Sequence, residues 1–322
     1  MKAKRKVSEP LKRVRFAQTL TLLCVFAAMA LFGGAIWFFR LREYREGWAM
    51  VAVTVVVVLC LLIPAARGYR SRWKQQSVIA GYGMYAEETE LDENPHMAPE
   101  QFELLCLFPF DLGAIHDFDV HREIRLVCRE RTVRIRELTV PARIRGLEAL
   151  VDGCLIQMNM PRSLVSRVIL AGASFGDQDI LTAWYRKNLR LLPAMYSVQK
   201  RMQTYTDGSE LSMRSIEQLR RITEKRGRDM VLSLSGRELN IFIRNADLLT
   251  RAPSVFQRVK QSRLQRLSIP ELPAILDFAF DTESLRAGVV VPYDEDEDRK
   301  YAGLQYVQPE NDEAFRRPED NA

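Results

Sequence analysis

The chain has 322 residues, with 47 Lys and Arg, 41 Asp and Glu, and a formal net charge of +6. Residues 1–74 carry 14 basic and 3 acidic residues, a net +11, whereas residues 75–322 carry 33 basic and 38 acidic residues, a net −5. Because the positive charge belongs to the beginning of the chain, a nucleic-acid-binding role loses its main support. The five cysteines are scattered and form no CxxC pair, so they indicate neither a disulfide framework nor a zinc site.

Two uncharged apolar runs, residues 16–39 and 47–66, come first along the chain. Each is long enough to cross a hydrocarbon core about 30 Å thick, and the short charged connection between them favours a tight helical hairpin. A cleaved signal peptide is the alternative, but the first run continues well past its small-residue triplet Ala28-Met29-Ala30. The sequence therefore predicts an uncleaved two-pass membrane anchor.

The flanking charges predict the orientation of this anchor, because Lys and Arg are retained on the cytoplasmic side. Seven basic residues precede the first run and four follow the second, whereas the connection has three, partly offset by two glutamates. We expect both termini in the cytoplasm of a bacterium, at its inner membrane. Aromatic anchors are predicted at the hairpin tip, Trp37 and Trp48, and at the inner interface, Tyr69 and Trp73.

Five segments are predicted. They are a basic N-terminus (1–15), the transmembrane hairpin (16–66), a juxtamembrane helix with an acidic linker (67–99), a cytosolic domain (100–291) and a disordered acidic tail (292–322). The cytosolic domain has the size of one ordinary domain.

Hydrophobic periodicity changes several times within residues 100–291. Strands are predicted at residues 124–140, with a turn near 129–131, at 150–160 and 164–170 as a second pair, and in a hairpin over 230–243 with a turn at Ser235-Gly236. Helices are predicted at 178–191, 209–226 and 269–280. This alternation indicates an α+β class built around antiparallel sheet.

The segment 116–121 contains the residue types that bind metals: His116, Asp117, Asp119 and His121. The two histidines are five residues apart, which fits neither the helical spacing of an HExxH site nor alternate positions on a strand. A solvated loop is the first interpretation, and a metal or acid–base role is the alternative. No cofactor is indicated.

An arginine-rich hairpin follows, in which Arg125, Arg134 and Arg136 are candidates for contact with anionic lipid or a partner. Interleaved Glu123, Glu130 and Glu137 favour the other interpretation, a solvated face paired internally. A second basic stretch carries the same ambiguity; it contains Arg251, Arg258, Lys260, Arg263 and Arg266.

The order of these features resembles the bacterial two-pass membrane family known as domain of unknown function 3137. The matching stretches are residues 131–137, a strand ending in Glu; 150–159, a strand with a Gly; 193–198 with 205–207, leading into a helix; the hairpin at 230–243; and the closing helix at 272–276. The resemblance implies architecture and location, and it implies no catalytic residues.

No GxGxxG or GxxxxGK(S/T) phosphate-binding loop occurs, and the stretch 171–177, in which residues 172–176 have the letters of a GxSxG elbow, is interpreted as a turn. We therefore expect a non-enzymatic interaction or regulatory module at the inner membrane face, contacting the bilayer and an unidentified protein. A membrane-tethered metal-dependent hydrolase and an anionic-lipid sensor are the alternatives. Small residues such as Gly33 and Gly34 allow close helix packing in the hairpin or a homo-oligomer.

Overall fold

A computed structural model describes residues 2–103, 118–144, 147–160, 167–175, 190–191, 202–206 and 213–280. The helices are α1 (Lys2–Arg40), α2 (Tyr44–Val57), α3 (Ile63–Tyr82), α4 (Pro99–Glu103), α5 (Met213–Thr223), α6 (Gln261–Leu264) and α7 (Leu272–Phe280). The strands are β1 (Glu88–Asp92), β2 (Asp119–Cys128), β3 (Arg131–Ile144), β4 (Leu147–Asn159), β5 (Val168–Gly172), β6 (Arg190–Leu191), β7 (Met202–Thr206), β8 (Met230–Ser235) and β9 (Glu238–Arg244). The α+β class with an antiparallel sheet is confirmed.

The chain forms two compact units. The first contains Met1–Thr89 together with Leu249–Ser268, and the second contains Glu90–Leu248 together with Ile269–Ala322. We call the first the helical unit and the second the sheet unit.

The helical unit begins with two long apolar helical runs packed against each other. The helix break is shorter than the predicted connection, since α1 ends at Arg40 and α2 begins at Tyr44, with Arg42 in the left-handed region at a φ of 63°. Gly34 lies where the helices approach closely, because a Cβ there would come within 2.8 Å of Met50 Cε. Both helices are long and apolar enough to cross a membrane.

A π-helical turn, Val58–Leu62, joins α2 to α3, so residues 44–82 form one continuous helical run. Pro64 is the second residue after this turn. Because proline lacks an N–H and its ring crowds the carbonyl four residues earlier, that of Cys60, the chain here leaves the regular α-helical hydrogen-bonding pattern.

The sheet unit is organised by nine described strands in the order β1-β2-β3-β4-β9-β8-β5-β7-β6. The predicted hairpin at residues 230–243 is confirmed as β8 and β9, with Gly236 at a φ of 55° in the turn. Polar side chains on the face opposite to its apolar row are buried as well, among them Ser233 and its cross-strand partner Asn240. The hairpin is therefore covered on both faces.

The other predictions on the sheet unit had mixed outcomes. The turn after β2 is confirmed, with Arg129 and Glu130 both at positive φ. The strands β4 and β5 exist, but they do not pair with each other, since β9 and β8 lie between them. The acidic linker contains strand β1, which the sequence did not predict.

Helix predictions were right where the structure describes them, with one exception. The helices α5 and α7 lie inside the predicted ranges 209–226 and 269–280. The end of the helix predicted at 178–191 was wrong, because Arg190–Leu191 forms strand β6 on the edge of the sheet. Residues 178–189 and the predicted tail at 292–322 lie outside the described residues.

Candidate functional site

Residues 118–121 of the segment 116–121 lie in the described structure, where Asp119 begins strand β2 and the predicted loop is absent. His121 sits at a β-bulge, because the register with β3 shifts between Val120 and Arg122. The bulge brings His121 Nδ1 to 3.2 Å from Asp119 Oδ2 and His121 Nε2 to 2.9 Å from Thr139 Oγ1. His116 and Asp117 lie outside the described residues.

This polar row extends across three strands, since Thr139 on β3 lies opposite both Asp119 and Asp152. The Thr139 hydroxyl donates to Asp152 Oδ1 at 2.6 Å. A nucleophilic hydroxyl would instead give its proton to the imidazole, so this geometry is not that of an activated threonine. Within the described residues, no group of three His, Cys, Asp or Glu is placed to hold a metal ion.

Arg136 of the arginine-rich hairpin is buried, not exposed. Its Nε donates to Glu123 Oε2 at 2.6 Å, both side chains are 7% exposed, and its Nη1 donates to Gln157 Oε1. Burial lowers the pKa of the Arg136 guanidinium, and the Glu123 carboxylate opposes that shift. Arg136 is therefore part of an internal ion pair and is not placed to contact a lipid headgroup.

Arg125 and Arg134 lie directly opposite each other on β2 and β3. Arg134 is exposed, and Arg125 is half exposed, with Glu90 and Glu123 each 3.6 Å from its guanidinium. Two like charges in register are unfavourable without a counter-charge. Arg125 thus has two carboxylate partners within the protein, and Arg134 remains a candidate for contact with an anion or a partner.

The four aromatic anchors fall into two classes. Trp37 and Trp48, near the hairpin tip, are 63% and 65% exposed. Tyr69 and Trp73 are enclosed by the protein, where the Tyr69 hydroxyl donates to the Pro253 carbonyl at 3.1 Å and Trp73 Nε1 donates to the Thr250 carbonyl at 2.9 Å. The two rings are therefore packed inside the protein, where their hydrogen bonds hold the segment with Thr250 and Pro253 against α3, and they do not face lipid.

The segment held in this way is Leu249–Ser268, which we call the return segment. It also packs on α1, where Gln18 Nε2 donates to the carbonyls of Val255 at 2.8 Å and Gln257 at 2.6 Å, and Arg15 Nη2 donates to that of Val259 at 3.1 Å. Sequence reasoning missed this contact. The available signal was Gln18 itself, an amide inside an otherwise apolar run.

The outer surface of the return segment is basic and carries one large exposed ring. All five cations of the second basic stretch are exposed: Arg251, Arg258, Lys260, Arg263 and Arg266. Phe256 is 66% exposed between the two backbone carbonyls that Gln18 binds. The return segment therefore presents these cations on the outside of the helical unit.

The cysteines of the sheet unit behave as small apolar side chains where they are described. Cys128 and Cys154 are buried, and the Cys154 thiol donates to the Ala246 carbonyl at 3.0 Å. Burial, reinforced by the nearby Glu137 and Asp247 carboxylates, raises the pKa of the Cys154 thiol well above its usual value. Cys154 is therefore not an activated nucleophile.

Comparisons with known proteins do not assign this chain to a family. No model of a known protein family matches the chain, and no curated protein matches it either. Among solved structures, the crystal structure of the mycobacterial trehalose monomycolate transport factor A, TtfA, aligns with a TM-score of 0.30 and 10% identity, over 76% of this chain and 99% of that chain. Membership of the domain of unknown function 3137 family stays a prediction.

Proposed function

We propose that this chain is a membrane-anchored interaction or regulatory module, without enzymatic activity, that works at the inner face of a bacterial cytoplasmic membrane. One observation carries the proposal. In the most apolar 18-residue stretch of the second helical run, none of the residues is buried inside the protein. A helix that is apolar and uncovered requires an apolar surrounding, because each exposed side chain of this kind costs about 1.5–3 kcal/mol in water.

The first helix supports the same proposal through the length of its exposed apolar surface. Large exposed side chains extend along α1 from Phe16 to Trp37. At 1.5 Å per residue this belt is about 32 Å long, which matches a hydrocarbon core of about 30 Å. Seven basic residues lie beyond its Phe16 end and only three in the connection beyond its Trp37 end, which favours the cytoplasmic side for the Phe16 end.

Anchoring and orientation are tested by cysteine labelling in intact cells. Glu43→Cys, in the helix break, is expected to react with a membrane-impermeant maleimide added outside, whereas Ser71→Cys is expected to react only after permeabilisation. The unsubstituted chain gives the background. If only Ser71→Cys were labelled in intact cells, the orientation would be the opposite of the one proposed. Release of the protein by alkaline carbonate would refute the membrane anchor.

The non-enzymatic role is tested by crosslinking in native membranes followed by purification of the chain. We expect at least one protein partner to be recovered reproducibly. Failure to recover any partner, together with bound metal in the purified chain and loss of the cellular phenotype in His116→Ala/His121→Ala, would instead support the hydrolase alternative.

A further inference from the structure

A groove in the helical unit brings three cations together beside an aromatic ring. It has a volume of about 520 Å³ and lies between α1 and α3, lined by Lys12, Arg13, Phe16, Arg72, Gln75 and Gln76. The size suits a polar headgroup, since pockets for small ligands have volumes of about 300–1,000 Å³.

Helical spacing explains why these side chains converge. On α1, Phe16 is four residues beyond Lys12, and on α3, Gln76 is four residues beyond Arg72, so each pair lies on one face of its helix. Facing cations repel each other unless an anion lies between them.

Little negative charge in the protein offsets these cations. Glu9 Oε1 is 3.7 Å from Arg13 Nη2, with both side chains well exposed. Among the described residues, no carboxylate lies within 4.0 Å of Lys12 or Arg72. Such an exposed pair contributes little, so the groove keeps a net positive charge and is suited to an anion.

We propose that this groove binds the phosphate of an anionic membrane lipid. Lys12, Arg13 and Arg72 pair with the phosphate oxygens, and a glutamine amide is available for the glycerol part of the headgroup. Phe16 is 65% exposed and begins the apolar belt of α1, so it lies beside the first acyl carbons. A free phosphate offers the same charge but nothing for Phe16, and this favours a lipid as the source. The proposal rests on the membrane anchoring proposed above.

The test uses the full chain in neutral detergent, with lipid binding followed by native mass spectrometry. Phosphatidylglycerol is titrated against the wild type and against Lys12→Gln/Arg13→Gln/Arg72→Gln. The matched control is Arg251→Gln/Arg258→Gln/Arg266→Gln, which removes the same charge from the exposed return segment. Each cation contributes about 5-fold, so the groove variant is expected to bind roughly 100-fold more weakly, whereas the control is expected to stay within about 3-fold.

Two further arms decide the nature of the ligand. Phosphatidylcholine is expected to bind far more weakly than phosphatidylglycerol, and inorganic phosphate is expected not to displace the lipid. Equal binding of phosphatidylcholine, displacement by inorganic phosphate, or equal losses in the groove and control variants would each overturn the proposal. Circular dichroism checks that both variants keep the helical content of the wild type.

Alkaline carbonate extraction separates this proposal from the membrane anchor. A chain that resists extraction, but whose lipid binding is unchanged by the groove substitutions, refutes the headgroup site alone. A chain that is released refutes the anchor.

Discussion

The buried ion pair between Glu123 and Arg136 gives the sharpest test of the sheet unit. Arg136→Met is expected to destabilise it by about 3–5 kcal/mol, because the substitution leaves the Glu123 carboxylate buried without its partner. The pair is short, at 2.6 Å, and both side chains are 7% exposed. Arg125, 3.6 Å from Glu123 Oε1, keeps a positive charge nearby and moves the expected loss to the lower end, about 3 kcal/mol.

Removing both charges is expected to cost less than removing one. Glu123→Leu/Arg136→Met eliminates the uncompensated carboxylate and fills the space with apolar atoms, so we expect most of the lost stability to return. Gln157 loses one partner but is only partly buried and keeps its contact with Asn240 at 3.4 Å, which limits the remaining loss to about 1 kcal/mol.

Hydrogen exchange of peptides from β2 and β3, measured on the full chain in detergent, gives the free energy of opening for these variants. Arg134→Met is the matched control, since the same residue type is replaced at an exposed position two residues away on the same strand, with an expected change within about 0.5 kcal/mol. If Arg136→Met cost no more than this control, or if the double variant were no more stable than Arg136→Met, the reasoning about the buried pair would be refuted.

Three further predictions concern single side chains of the sheet unit. Burial raises the pKa of Tyr205 from 10.0 to about 12, because it disfavours the ionised side chain in the folded protein. Stability is therefore fully retained below pH 10 and falls by about 2 kcal/mol as the pH rises to 12, and a pH titration of unfolding should show Tyr205→Phe without this loss. Glu130→Gly is expected to increase the stability of the fold in thermal unfolding by about 0.5–1 kcal/mol, because Glu130 has a φ of 65°, which glycine adopts without strain. Thr132→Gly, on the adjoining strand, should instead decrease it. Cys154 should be alkylated by iodoacetamide only after unfolding, and peptide mapping that finds it modified in the folded chain would contradict its burial.

Local sequence signals predicted the elements that depend on neighbouring residues. The turn at Arg129-Glu130 and the strands beside it were visible because polar and apolar residues alternate around a charged turn. The order of the strands was not visible. β4 pairs with β9, about 80 residues later, and such a pairing depends on side-chain packing that no periodicity records.

Arg136 shows a second limit of sequence reasoning. It alternates with apolar Ile135 and Val133 as a solvent-facing residue would, yet its face of the sheet is covered at that point, where Met97 Sδ lies 3.5 Å from its Nη1. Period-two patterning identifies two faces but does not say which of them is covered by another segment. Arg134, two residues away on the same face, remains exposed.

The aromatic residues after the second apolar run show the same limit and connect it to the proposed function. Tyr69 and Trp73 have the composition of interfacial anchors, because such rings need one apolar and one polar surrounding. The return segment supplies both requirements within the protein, through the Thr250 and Pro253 carbonyls and the apolar side chains of Val255 and Val259. Because these buried rings fix the segment on the helices, its exposed surface keeps a defined position at the basic end of the apolar belt. A segment that was merely attracted to headgroups would not need a buried tryptophan hydrogen bond, so the packing indicates that the cationic surface is held in one place by the fold.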